Sequence, residues 1–102
     1  MNARNFHDST PLTLAAQYGY ESVVQILLNS REVDADMFDQ DGDTALIAAA
    51  CVGHEGVLKI LLGSRKLNFA HKNKAGFNAL SRAMEQGHQI SVELLRPYYR
   101  PS

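Results

Sequence analysis

The chain has 102 residues, of which 45% are hydrophobic and 21% charged, and its net charge is −1. This composition predicts one folded domain, and the near-zero charge offers no cationic surface to nucleic acid or an anionic membrane. We therefore expect neither as a partner. No stretch approaches the roughly 18 consecutive apolar residues of a membrane span, and the first residues lack a secretion-signal pattern. The single cysteine, Cys51, excludes an internal disulfide and favours the cytoplasm or the nucleus.

The stretch from Thr44 to Gly63 recurs once upstream and once downstream. Each copy opens on a residue that can cap a helix and is divided by a glycine, and both series step by 34 residues. The opening residues are Thr10, Thr44 and Asn78, and the glycines are Gly19, Gly53 and Gly87. A fixed period of this length is typical of stacked supersecondary units.

The first unit predicts two short helices. Thr10-Pro11 is a favourable helix start, because threonine caps free N–H groups and proline is preferred at the first helical position. Gly19 ends this helix, since glycine adopts the left-handed conformation at little cost. A second helix has one broad apolar face, formed by Val23, Val24, Ile26, Leu27 and Leu28. Helices of about eight residues are unstable alone, so the pairs must stack on one another.

The central unit repeats this order. Ala45 to Val52 predicts a first helix that ends at Gly53, and the apolar run that follows predicts a second helix that Gly63 closes. The segments 29–43 and 63–77 lose the helical period and contain turn signals. Val33 and Leu67 hold matching positions in them, and we expect both to anchor these loops against the helices.

The third unit exchanges apolar residues for polar ones at Arg82, Ser91 and Arg96. Polar residues on an outer face are what a terminal unit needs for solubility. The first unit keeps its apolar residues, including Val24. We expect an uncovered apolar face there, which either continues into further units or is buried by self-association or by a partner.

Several motifs in register resemble the ankyrin repeat family over residues 4–96. They are Thr10-Pro-Leu-Thr-Leu-Ala-Ala, Thr44-Ala-Leu-Ile-Ala-Ala-Ala, the Gly53-His54 and Gly87-His88 pairs, the Val-Val-x-Ile-Leu-Leu run from Val23, and the turn Asp39-x-x-Gly42-x-Thr44. The resemblance implies an all-α ankyrin-repeat solenoid of three helix-turn-helix units joined by hairpin-like loops. It implies one domain, 1–102, with repeats at about 4–37 (unit one), 38–71 (unit two) and 72–102 (unit three).

The sequence departs from the family pattern in two places. The histidine of the family's Thr-Pro-Leu-His tetrapeptide is replaced by Thr13, Ile47 and Ser81, which puts the hydrogen bonds of that histidine in doubt. Tyr20 replaces the histidine of the first Gly-His pair.

The sequence lacks a complete motif for three kinds of chemical site. A calcium-binding EF-hand loop with Gly42 at its sixth position would have Met37 first and Ala48 twelfth, and neither can be a ligand. His54 and His88 lack zinc-ligand spacing and are expected to hydrogen-bond a neighbouring turn. No phosphate-binding loop, nucleophile elbow or catalytic carboxylate pair is present in the sequence. We therefore predict no metal, no cofactor and no enzyme activity.

The resemblance implies that turn tips and the ends of first helices form a concave binding face. The implied partner-binding residues are Arg4, Phe6, His7, Gln17 and Tyr18 in unit one, Phe38, Gln40, Asp41, Asp43, Cys51 and Val52 in unit two, and Lys72, Lys74, Phe77, Glu85 and Gln86 in unit three. Exposed aromatic residues beside charges are typical interface anchors. Two interpretations stay open: a module that binds another protein, and a C-terminal capping segment of a longer array in a signalling or scaffold protein.

Overall fold

The computed structural model describes residues 10–30, 33–64 and 67–99. These residues form six α-helices and a final 3₁₀ turn. The helices are α1 (Pro11–Tyr18), α2 (Glu21–Leu28), α3 (Ala45–Val52), α4 (Glu55–Ser64), α5 (Ala79–Gln86) and α6 (Gln89–Leu95), and the 3₁₀ turn is Arg96–Tyr98. The predicted all-α succession of three helix pairs is confirmed. In the part of the chain described, no helix is long and apolar enough to cross a membrane.

The first helix of each pair begins and ends as the sequence predicts. The side chains of Thr10 and Thr44 each accept a hydrogen bond from the backbone N–H three residues later. Asn78 does the same, and Ser81 returns a bond to it in a capping box. Gly53 follows α3 with a φ of 76°, in the left-handed region that glycine adopts without steric cost.

The second helices depend more on packing, since neither α2 nor α6 has a side-chain N-cap. The predicted end of α4 at Gly63 is wrong by one residue, because Gly63 continues the helix as far as Ser64. The loops are anchored as predicted: Leu67 is buried, and Val33 packs against the core from a half-buried position.

The core lies between two rows of helices. The first helices form one row, with α3 between α1 and α5, and α2, α4 and α6 form the other. Residues 45 to 50, at the centre of the first row, are all buried and four of the six are alanine, which lets neighbouring backbones approach closely. Val57, Leu58 and Leu61 of α4 are fully buried in the second row. Unit two is thus covered on both sides.

Two histidines link successive units. His54 Nε2 donates to the carbonyl oxygen of Gln17 at 3.1 Å, and His88 Nε2 donates to that of Cys51 at 2.9 Å. Each imidazole also lies on the glycine that ends the preceding first helix, so close that a Cβ on Gly53 would come within 2.8 Å of His88. The expected structural role of these histidines is confirmed, although they bond the end of a helix and not a turn tip.

The prediction of polar residues on the outer face of unit three is wrong for Ser91. Its side chain is 1% exposed, and its hydroxyl oxygen has no hydrogen-bond partner in the described structure. Ser91 stands one period after Val57, and both side chains lie in the core. Arg96 is exposed as predicted, whereas Arg82 is half-buried.

An aromatic cluster closes the end of unit three. Tyr98 stacks on Phe69 with ring centroids 5.1 Å apart, and Tyr99 meets Phe69 edge-on at 5.7 Å. Burial raises the pKa of Tyr99 to about 12, against the opposite effect of a hydrogen bond with the backbone of Ala79. The end of the described chain is therefore fastened to the loop before α5.

At unit one, the expectation of an exposed Val24 is wrong, because this side chain is fully buried. Its neighbour Val23 is 43% exposed, and Ile26 is 67% exposed. The equivalent of Val23 is buried in both later units, as Val57 and Ser91. An apolar surface does exist on this helix pair, but other residues form it.

Candidate functional site

The turn of unit two is a short hairpin built by one aspartate. Phe38 and Thr44 form an isolated antiparallel bridge, and Asp39 and Asp43 pair through a backbone hydrogen bond of 3.1 Å inside it. One carboxylate oxygen of Asp39 accepts the N–H groups of Asp41 and Asp43, each at 2.9 Å. Aspartate is favoured at such a position because its short side chain satisfies the turn's free donors.

The turn of unit three repeats this construction with an asparagine. Asn73 Oδ1 accepts the N–H groups of Ala75 and Phe77 at 3.0 and 2.9 Å. Its amide Nδ2 donates to Asp43 Oδ1 at 2.8 Å, across the gap between the turns. Lys74 N–H donates to the Asp41 carbonyl oxygen at 3.0 Å over the same gap.

A third bond joins the same two turns, from His71 Nε2 to the carbonyl oxygen of Gly42 at 2.8 Å. The ring of His71 also stacks on Phe38, with centroids 5.0 Å apart. Main-chain and side-chain bonds therefore hold the two tips side by side as one surface.

A cleft of about 110 Å³ separates the second turn from the ends of α1 and α3. It brings together residues from two units and is lined by Gln17, Asp39, Asp41, Asp43, Ala48, Cys51 and Val52. Five of these belong to the predicted partner-binding set. The remaining two, Asp39 and Ala48, are additions from the structure.

The acidic side of the cleft carries three carboxylates whose oxygens lie within 4.8 Å of one another, from Asp39, Asp41 and Asp43. Burial, more than any other cause, raises the pKa of Asp43, and the charges of the other two aspartates add to this rise. The hydrogen bond from Asn73 and the charge of Arg82 act in the opposite direction. Oxygens of Asp39 and Asp43 already accept hydrogen bonds within and between the turns, so these carboxylates stabilise the turns.

Two tyrosines lie where unit one passes from α1 to α2. Tyr18 is 59% exposed and lies two residues before Tyr20, which is also exposed, with ring centroids 5.9 Å apart. Tyr20 occupies the place from which His54 and His88 reach back to the preceding unit. Val52, one period after Tyr18, is exposed on α3.

Other predicted residues lie outside the cleft. Phe38, Gln40, Lys72 and Lys74 are exposed on the turns, and Glu85 and Gln86 are exposed at the end of α5. Phe77 is half-buried, and the guanidinium of Arg82 lies 5.1 Å from its ring centroid. Arg82 also pairs with Glu85 at 3.0 Å. Arg4, Phe6 and His7 fall outside the described residues.

The structure adds a role for Asp39 and a pairing for Tyr20. Asp39 belongs to the turn motif Asp39-x-x-Gly42-x-Thr44, and its carboxylate accepts the N–H groups of Asp41 and Asp43. Tyr20 was noticed as a departure, and its pairing with Tyr18 depends on how tightly Gly19 turns the chain between α1 and α2.

A family model described as "Ankyrin repeats (3 copies)" matches residues 12–101. No curated protein matches the sequence significantly. A chain of the structure described as the Bd0816 predatory endopeptidase from Bdellovibrio bacteriovorus in complex with immunity protein Bd3460 is similar to this one. It is 31% identical with a TM-score of 0.82, over 91% of this chain and 48% of that chain. The chain thus spans about half the length of this relative.

A chain of the yeast complex between ribosomal protein Rps3 and its chaperone Yar1 is similar as well. It is 26% identical with a TM-score of 0.82, over 93% of this chain and 71% of that chain. Both structures are complexes between proteins.

Proposed function

Because the chain belongs to the ankyrin repeat family, we propose that it binds a partner protein without catalysis, through the concave face of turn tips and first-helix ends. The observation that carries this proposal is the cleft, where Gln17 of unit one meets Asp41, Asp43, Cys51 and Val52 of unit two. A reducing compartment, the cytoplasm or the nucleus, suits a chain whose lone cysteine lies on this face.

Protein binding agrees with the character of the face. Tyr18, Phe38 and Val52 are exposed, and Val52 lines the cleft together with Gln17 and the aspartates of the second turn. Interface anchors are commonly aromatic residues within a polar rim. The bonds from Lys74 to Asp41 and from Asn73 to Asp43 hold the tips in place, so little ordering entropy is lost when a partner binds. The similar structures, both complexes between proteins, support a protein as the ligand class.

The test is crosslinking of the purified chain in cell extract, followed by mass spectrometry of captured proteins and crosslinked residues. We expect crosslinks at the concave face and loss of capture in Val52→Arg, whose long side chain fills the cleft. Ile26→Arg is the matched control, since Ile26 is exposed on α2 and outside the cleft. Capture that survives Val52→Arg but is lost in Ile26→Arg would show that the second helices carry the interface.

A second proposal concerns the end of the array at unit one. Val23 is 43% exposed, whereas its equivalents in the later units, Val57 and Ser91, are buried. Such a surface suits a segment of a longer array, or one covered by self-association or a partner. At the other end Met84, which is exposed, stands where Ala16 and Ala50 are fully buried. This substitution is consistent with a C-terminal cap.

Light scattering of the purified chain tests whether the unit-one end is covered by self-association. Val23→Glu should convert an associating chain into a monomer, while Gln25→Glu, also exposed on α2, should leave its mass unchanged. A chain that is monomeric at high concentration and binds no apolar dye would exclude an uncovered end face.

A further inference from the structure

One side of α2 is apolar and open to solvent. Tyr20, the residue before the helix, is followed at intervals of three by Val23 and Ile26, and all three side chains are exposed. Leu27, four residues after Val23, is half-buried beside them. Residues three or four apart lie on the same side of a helix, so these four residues form one surface, which we call the α2 stripe.

In unit two, the equivalent side of the helix pair faces the preceding unit. His54, one period after Tyr20, bonds the carbonyl oxygen of Gln17 in unit one. Val57, one period after Val23, is fully buried. The α2 stripe therefore has the position of a docking surface between units, and no unit lies on it within the described residues.

Unit one is almost without charge. In residues 10–30 the single charged side chain is that of Glu21. Its carboxylate lies against Gly56 of α4, so it is directed toward unit two. Depletion of charge with enrichment of aromatic residues marks the core of protein interfaces, and homodimer interfaces are more apolar than most. Because like charges are absent from this surface, a second copy of the chain meets no repulsion there.

Two substitutions oppose docking of another ankyrin unit, or of the far end of another copy, on the α2 stripe. Tyr20 replaces the histidine that links successive units, and its ring packs on Tyr18 instead, with centroids 5.9 Å apart. At the far end of the array, Met84 is exposed where Ala16 and Ala50 are fully buried. A long side chain there keeps a following helix pair from the close approach that alanine allows. A head-to-tail contact would therefore lack both features of the existing junctions.

We propose that the α2 stripe is the interface of a homodimer, in which a second copy packs its own α2 stripe on this one about a two-fold axis. Such a contact uses the same surface on both copies and closes on itself, so both stripes are buried and no end is left for growth. Residues of the stripe do not line the concave cleft, which stays free for the partner protein. The inference rests on the proposed covering of the unit-one end and names what covers it.

Light scattering of the full chain over a range of concentrations tests the stoichiometry. We expect a dimer and no larger species. Tyr20→Ala should raise the dissociation constant of the dimer about tenfold, because truncation of a central aromatic residue has an effect of this order. Gln25→Ala, a truncation of a residue exposed on α2 outside the stripe, should leave it unchanged. A monomer at every concentration would contradict this inference together with any self-association at the unit-one end.

Crosslinking distinguishes the two-fold contact from a head-to-tail one. In a Cys51→Ala background, Val23→Cys supplies the only thiol, and Gln86→Cys, at the exposed end of α5, is the control. A short bismaleimide should join two Val23→Cys chains, because a residue near a two-fold axis meets its own counterpart, and should not join two Gln86→Cys chains. Absence of the Val23→Cys crosslink, crosslinks that need a mixture of both variants, or a mass that grows beyond the dimer would overturn the two-fold contact, although self-association would stand.

Val52→Arg separates the dimer from binding at the concave face. This variant should remain dimeric while it loses capture of the partner. If it becomes monomeric, the copies meet at the concave face and the α2 interface is wrong. If it stays dimeric and still captures the partner, the dimer stands and the proposed concave binding face fails.

Discussion

The two junctions between units share a histidine bond and differ in their core. At the first junction, His54 bonds the carbonyl of Gln17, and Val57 is fully buried. At the second, His88 bonds the carbonyl of Cys51, but the residue equivalent to Val57 is Ser91, buried with an unpaired hydroxyl. Helix α6 also packs less extensively on α4 than α4 does on α2.

The comparison shows which contacts recur from one unit to the next and which do not. The histidine bonds reach backbone carbonyls, which are present whatever the side chains, so they recur unchanged. Core packing depends on the volume and polarity of each side chain, and an unpaired buried hydroxyl costs about 1–3 kcal/mol. The core of the second junction should therefore stabilise the chain less than the core of the first.

The largest effect should come from the glycines under the histidines. Gly53→Val should destabilise the chain by more than the roughly 1–2 kcal/mol of the left-handed penalty, because its Cβ would also meet the His88 ring at 2.8 Å. Gly87 has the same conformation, φ 75°, with nothing near its Cβ position, so Gly87→Val should show the conformational penalty alone. Thermal melting of both variants measures the difference. Equal losses would mean that His88 moves aside freely.

The second-largest effect should come from substitutions at the equivalent core positions Val57 and Ser91. Val57→Ser should cost about 2–4 kcal/mol, since it removes buried methyl groups and adds an unpaired hydroxyl. Ser91→Ala should instead stabilise the chain by about 1 kcal/mol, because it deletes such a hydroxyl with little change of volume. Urea unfolding gives both values, with the exposed Ser22→Ala as a control near zero. A destabilised Ser91→Ala would mean that the hydroxyl has a partner in solution.

The smallest effect should be the pH dependence that Asp43 adds where the second and third turns meet. Its pKa in the folded chain is raised above the ordinary value of 3.8, so the folded state binds this proton more tightly than the unfolded state. The resulting destabilisation is present at neutral pH and is relieved as pH falls through the folded-state pKa. Asp43→Asn should remove this dependence of the unfolding free energy on pH above pH 3.8. Denaturant unfolding of both proteins from pH 4 to 7 measures it. If the unfolding free energy varies with pH in the same way in both proteins, the pKa of Asp43 is not raised in the folded chain.

The helices were predictable because their signals are local and periodic. The first helices are capped by Thr10, Thr44 and Asn78 and end at glycines, and both signals act within a few residues. The 34-residue period indicated that the helix pairs stack on one another. The family resemblance supplied the antiparallel arrangement of each pair, and the position of the binding face that it implies stays a prediction.

Features that depend on contacts between units were not predictable in the same way. Ser91 was expected on the outer face, because polarity alone does not tell which side of a short helix faces its neighbour. Val24 was expected outside for the same reason, although adjacent Val23 is the exposed one. The pairing of Asp43 with Asn73 joins residues 30 positions apart, and no local pattern signals it.

If the partner binds at the cleft as proposed, the bond from His88 to the carbonyl of Cys51 links that binding to the stability of unit three. Cys51 lines the cleft, and its carbonyl is held by the following unit, so a ligand that orders this end of α3 also favours the docked state of unit three. A partner at a hundredfold excess over its Kd would add about 2.7 kcal/mol to the stability of the folded chain. Occupancy of the cleft should therefore slow hydrogen exchange in α6, which contributes no residue to the cleft, as well as in α3.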